Sequence, residues 1–148
     1  MDERAECVIL VGLPGAGKST YARLHLPSHE YISKDAFPPS AKDKQRRQEA
    51  LLRAALAAGR SVVVDNTNPA PSDRAAIIAV ARELGARITG IYIEATPREA
   101  VARNAGRVGR ARVPNVAIFT CAKRLVPPAL GEGFDAVHTV RVPADSAP

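Results

Sequence analysis

The sequence predicts a three-layer α/β/α sandwich around a five-stranded parallel sheet, and three observations carry that expectation. Short β-rich apolar runs alternate with stretches of helical composition along the chain. The runs are close to continuous in valine and isoleucine, as in Val62-Val63-Val64, which suits strands covered by helices on both faces. Glycine or proline stands at several points where one kind of element must give way to the other.

In order, strands are expected at residues 6–11, 31–33, 61–65, 87–94 and 136–142. Helices are expected between them at 18–26, about 42–58, 72–84, 97–107 and 114–125. Gly59 and Gly85 stop the second and third helices. Ser72 and Thr96 are the expected N-caps, and Pro97 takes the first helical position, where a missing N–H costs nothing. Residues 1–143 are expected to form one domain and 144–148 a disordered tail.

With 148 residues, 46% hydrophobic and 24% charged, the chain has the balance of a globular domain with a sizeable core. The apolar run at 8–11 is too short for a signal-peptide core, and charged residues interrupt every segment that would have to span a bilayer. No membrane association and a cytoplasmic location are therefore expected. Cys7 and Cys121 form no CxxC pair and no metal-like cluster with the three histidines, so both are expected in the core. A net charge of +6 favours an anionic partner. Aromatic residues make up only 4%, so a nucleic acid would be held through its phosphates more than by stacking.

The strongest motif is Gly12-Leu13-Pro14-Gly15-Ala16-Gly17-Lys18-Ser19-Thr20, directly after an apolar strand and opening a helix. Its spacing is that of a Walker A loop, so residues 12 and 14–20 are the expected ATP-binding set. Glycines let backbone N–H groups turn inward, and the helix N-terminus adds positive potential where phosphates sit. Lys18 is expected at the β- and γ-phosphates, and Ser19 on the Mg2+ that accompanies the nucleotide.

Two acids follow strands at the edge that faces the ligand in open α/β sheets. Asp35, after the second strand, is the candidate general base for an acceptor hydroxyl. Asp65, ending the third, is the candidate Walker B carboxylate and Mg2+ partner. Asn66, Thr67 and Asn68 project toward the same crevice, so Asp35, Asp65, Thr67 and Asn68 form the expected acceptor set. Arg103 and Arg107 lie four apart on one helix face and are expected to clamp the nucleotide phosphate from two directions, Arg107 acting in catalysis. The segment 106–112, with two glycines and three arginines, is expected to be a cationic lid. The basic run Lys42, Lys44, Arg46, Arg47 has the charge to track a nucleic-acid backbone.

These residues resemble the 5′-kinase domain of the polynucleotide kinase family, a P-loop kinase with an AAA-type ATP-binding domain. GLPGAGKST, Lys34-Asp35, VVVDNTNP, ATPREAVARNAGR and GEGFDAV recur in the family's order, with the DNTNP segment the most telling. The resemblance implies a P-loop kinase fold with an arginine-rich lid, Asp35 as base, Lys18 and Ser19 on phosphate and metal, Asp65 as Walker B acid and Arg107 as lid arginine. It also implies ATP and Mg2+ as cofactors and a nucleic-acid 5′-end as acceptor. The position three residues after the base, arginine in some members, is Pro38 here. A nucleoside, sugar or antibiotic hydroxyl is thus the alternative acceptor, and a regulatory nucleotide-binding ATPase the alternative of another class.

Overall fold

The apolar run Glu6–Val11 is β1, the central strand of the sheet. The computed structural model describes residues 3–143. Four further strands, β2 (Glu30–Ile32), β3 (Val62–Asp65), β4 (Arg87–Ile93) and β5 (Ala136–Val140), complete a sheet of order β2-β3-β1-β4-β5. Every neighbouring pair is parallel. Five helices cross between them: α1 (Lys18–His25), α2 (Lys44–Ala57), α3 (Pro71–Glu83), α4 (Pro97–Ala105) and α5 (Asn115–Arg124).

Strand parity divides the core into two layers, because successive side chains leave opposite faces of a strand. Cys7, Ile9, Val11, Ile32, Val62 and Val64 pack with Leu52 and Leu56 of α2 and Ile77 and Ile78 of α3. Val8, Leu10, Val63, Ile91 and Ile93 pack with Ala22 of α1, Ala100 of α4 and Ile118 of α5. This is the expected sandwich. Gly59 (φ 80°) and Gly85 (φ 73°) follow α2 and α3 as anticipated.

Several boundaries move for local reasons. Strand β2 ends at Ile32 because Ser33, still extended, caps the 3-10 turn Lys34–Ala36 by accepting the Asp35 N–H on its hydroxyl at 3.2 Å. Helix α3 begins at Pro71, so Ser72 is not its N-cap. Ala70 takes that place, and its N–H is satisfied by Asp73 Oδ2 at 2.9 Å. Thr96 does cap α4, in a reciprocal pair of hydrogen bonds with Glu99. Strand β5 stops at Val140, and the chain then passes over the loop at Gly17, against which Val142 packs.

One buried ion pair ties the periphery together. Arg74 has no exposed surface, binds both carboxylate oxygens of Glu132 at 2.9 Å, and donates to the Asn68 and Val126 carbonyls at 2.9 and 3.0 Å. Among the described residues no helix is long and apolar enough to cross a membrane. The expected tail, 144–148, lies outside the described residues.

Candidate active site

Parallel strands all present their C-terminal ends at one edge, and the loops leaving β1, β2 and β3 there line a cleft of about 770 Å³. Lys18, Ser19, Tyr31, Lys34, Asp35, Asp65, Thr67, Arg107 and Arg110 all border it. Two of the loops are joined directly, since Gly12 N–H donates to the Thr67 carbonyl at 3.1 Å.

The loop after β1 is held open toward the cleft by its own geometry. Gly15 adopts φ 84°, and a Cβ there would sit 2.6 Å from the Ala100 carbonyl of α4. Only glycine meets both demands. Lys18 is 8% exposed and its ammonium lies on its own loop, donating to the Gly12 and Leu13 carbonyls at 3.1 and 2.8 Å. Burial lowers its pKa, while Asp65 pulls in the opposite direction and Arg107 adds to the lowering. A cation so strongly desolvated is primed for an anion, and the backbone N–H groups at the start of α1 favour the same charge.

Ser19, on the first turn of α1, donates its hydroxyl to Asp65 Oδ2 at 2.9 Å. With its hydrogen so directed, its lone pairs are left to a cation. A hydroxyl and a carboxylate are the hard oxygen donors that suit Mg2+, which takes its remaining ligands from phosphate and water. Among the described residues no group of three or more His, Cys, Asp or Glu forms a metal site by itself. The pair therefore fits a cation that arrives with a phosphate.

Asp35 is exposed on the 3-10 turn after β2 and borders the cleft. The turn is braced from two sides. Lys34 N–H donates to Asn66 Oδ1 at 3.0 Å, and Asn66 Nδ2 donates to Gln48 Oε1 at 2.6 Å, with Gln48 of α2 only 2% exposed. Asn66 is thus a strut between β2, β3 and α2. Asn68 is also structural: it is 5% exposed at φ 45° and donates its amide to the Leu10 carbonyl at 2.9 Å. Its side chain nonetheless borders the cleft, so the anchor to β1 holds it beside Asp65 and Thr67. Thr67, partly buried between them, also faces the cleft.

The arginine clamp is corrected. Arg107 borders the cleft, but Arg103 turns away and donates to the Val142 and Pro143 carbonyls, both at 3.1 Å. Residues four apart share a helix face only while the helix lasts, and α4 ends at Ala105. Arg110, on the 3-10 turn Gly109–Ala111, instead reaches across the opening to the Asp35 and Phe37 carbonyls, both at 3.1 Å. The arginine-rich segment thereby touches the turn that carries the candidate base.

Sequence reasoning missed Tyr31, whose hydroxyl donates to Asp65 Oδ2 at 2.5 Å. Burial and then Asp65 push its pKa up to about 12. Parity held the signal: Tyr31 pairs with Val63, two residues before Asp65, so both side chains leave the face that α1 covers.

A family model described as an AAA domain matches residues 7–128. The chain belongs to that family. Within the AAA domain family, it is 31% identical over 143 residues to a bifunctional polynucleotide phosphatase/kinase of Schizosaccharomyces pombe, covering 93% of this chain and 34% of that one. The chain spans about a third of the length of the curated relatives it matches. Among solved structures it superposes on a chain of a Pnkp1/Rnl/Hen1 RNA repair complex with TM-score 0.72 and 24% identity, over 84% of this chain and 45% of that one. A gluconokinase from Sinorhizobium meliloti aligns with TM-score 0.64 and 19% identity, over 97% of this AAA domain and 87% of that chain. These structural likenesses establish the P-loop kinase fold.

Proposed function

We propose that the chain is an ATP- and Mg2+-dependent phosphotransferase that moves the γ-phosphoryl group to a 5′-hydroxyl of DNA or RNA, with residues 1–143 as its kinase domain. The observation that carries this reading is the placement of Asp35 across one cleft from Lys18 and the Ser19–Asp65 pair. A switch or ATPase needs the phosphate loop but has no use for an exposed carboxylate facing it. The relative from Schizosaccharomyces pombe, aligned along nearly the whole of this chain, supports a polynucleotide as acceptor.

Asp35 accepts the proton of the acceptor hydroxyl as the hydroxyl oxygen attacks the γ-phosphorus of ATP, whose bond to the β–γ bridging oxygen breaks to release ADP. Lys18 leaves its loop carbonyls for the phosphate oxygens, and Arg107 neutralises the charge that builds on the transferred group. Ser19 and Asp65 hold Mg2+, which supplies neutralisation of the β- and γ-phosphates when bound. Thr67 orients the acceptor from beside Asp65.

The deciding experiment offers γ-labelled ATP and Mg2+ with 5′-hydroxyl DNA, 5′-hydroxyl RNA, nucleosides and a panel of metabolite alcohols. Label is expected on oligonucleotide 5′-ends, with Lys18→Ala inactive and Asp35→Ala slowed roughly 10²- to 10⁴-fold. Label on small alcohols and never on oligonucleotides would overturn the acceptor. Transfer that survives Asp35→Ala unchanged would overturn the base.

A further inference from the structure

Three oxygens from three different elements meet at the metal end of the cleft. Ser19 Oγ of α1 and Tyr31 OH of β2 both donate to Asp65 Oδ2 of β3, at 2.9 and 2.5 Å, and lie 3.5 Å from each other. The proposed function accounts for Ser19 and Asp65 but leaves Tyr31 without a task.

The tyrosine's placement is specific. It sits mid-way along a three-residue edge strand, 48% exposed, so its ring adds little to the core. Its hydroxyl is the part of the side chain that is engaged. A carboxylate at a strand end can rotate about its terminal torsion, which has broad, shallow minima. Two hydroxyls converging on a single oxygen remove that freedom, and they do so from two adjacent structural layers, one on a helix and one in the sheet. Groups that hydrogen-bond a metal-facing carboxylate in this way commonly tune metal affinity.

We propose that Tyr31 is a positioning residue for Mg2+, holding Asp65 Oδ2 in place through its hydroxyl so that Asp65 and Ser19 face the cation together. This rests on the reading of Ser19 and Asp65 as the Mg2+ pair, and is independent of which acceptor is used. Tyr31 acts through Asp65 and does no chemistry itself.

The test measures ADP binding by calorimetry across a Mg2+ series and in EDTA, for the unaltered chain and for Tyr31→Phe. Phenylalanine keeps the ring and removes only the oxygen, and thermal melting verifies that the variant is folded. The Mg2+ concentration for half-maximal enhancement of ADP binding is expected to rise roughly 10- to 100-fold, with binding in EDTA unchanged. In an Asp65→Ala background Tyr31→Phe is expected to add nothing, as a residue acting through Asp65 must. An unchanged Mg2+ requirement in Tyr31→Phe overturns the proposal, as does an equal loss of binding in EDTA, which would mark a general packing role. If ADP binding by the unaltered chain ignores Mg2+, the proposal and the metal assignment beneath it both fall, whereas failure of the acceptor assay touches neither.

Discussion

Arg74 shows at the level of one side chain how the cleft is kept in shape. Its guanidinium is wholly buried, yet each group around it is an acceptor: the Glu132 carboxylate and the carbonyls of Asn68, Pro69 and Val126. Arg74→Met would strand a carboxylate that is only 14% exposed together with these carbonyls. Breaking such a pair from one side costs about 3–5 kcal/mol, which denaturant unfolding will read as a lower midpoint. Changing both partners to apolar residues is expected to cost less than Arg74→Met alone, because no buried charge is left behind. Sequence could not disclose this residue, as its partner lies 58 positions away. That Lys18, Ser19 and Asp65 share one cleft was legible because their placement follows from local spacing on a strand, a loop and a helix start. The structural bonds of Asn66 and Asn68 were hidden for the converse reason: a polar residue at a strand end can border a cleft and brace a neighbouring element at once, and only packing shows the second task.

Helix α4 illustrates the same division among elements. Thr96-Pro97 with Glu99 three residues after the cap announces a capping box in sequence, and both bonds form, at 3.1 and 2.8 Å. Thr96→Ala is expected to cost about 1 kcal/mol in chemical denaturation. Glu99 is held down at about 2 by the Thr96 backbone N–H first and by Arg141 second. Since its folded value lies below the ordinary 4.5, its contribution is present above pH 4.5 and disappears as the pH falls toward 2. Between those limits, Glu99→Gln is expected to flatten the loss of stability seen in acid titration of the unaltered chain. The three 3-10 turns, Lys34–Ala36, Gly109–Ala111 and Leu130–Glu132, were invisible beforehand. Three residues are too few to establish a periodicity, and what fixes the first is a serine cap and a strut from a different strand.

Across the whole molecule, the arginine-rich segment after α4 and the turn carrying the candidate base are joined by Arg110. Arg110→Ala leaves the phosphate loop intact while freeing that turn, so kcat is expected to fall roughly tenfold, the worth of one charge-assisted hydrogen bond. ADP binding should change much less, and comparison of kcat with nucleotide affinity will check the split. Order in the sheet has a consequence of another kind. Strand β1 occupies the centre, yet both its neighbours, β3 and β4, come more than 50 residues later in the chain. At roughly 5–20 residues per second of synthesis, the most apolar strand of the nascent chain spends several seconds with both edges unpaired. The strand that carries the phosphate loop is therefore made before either strand that flanks it and waits longest for a first partner, which leaves it most in need of shelter while the chain is being born.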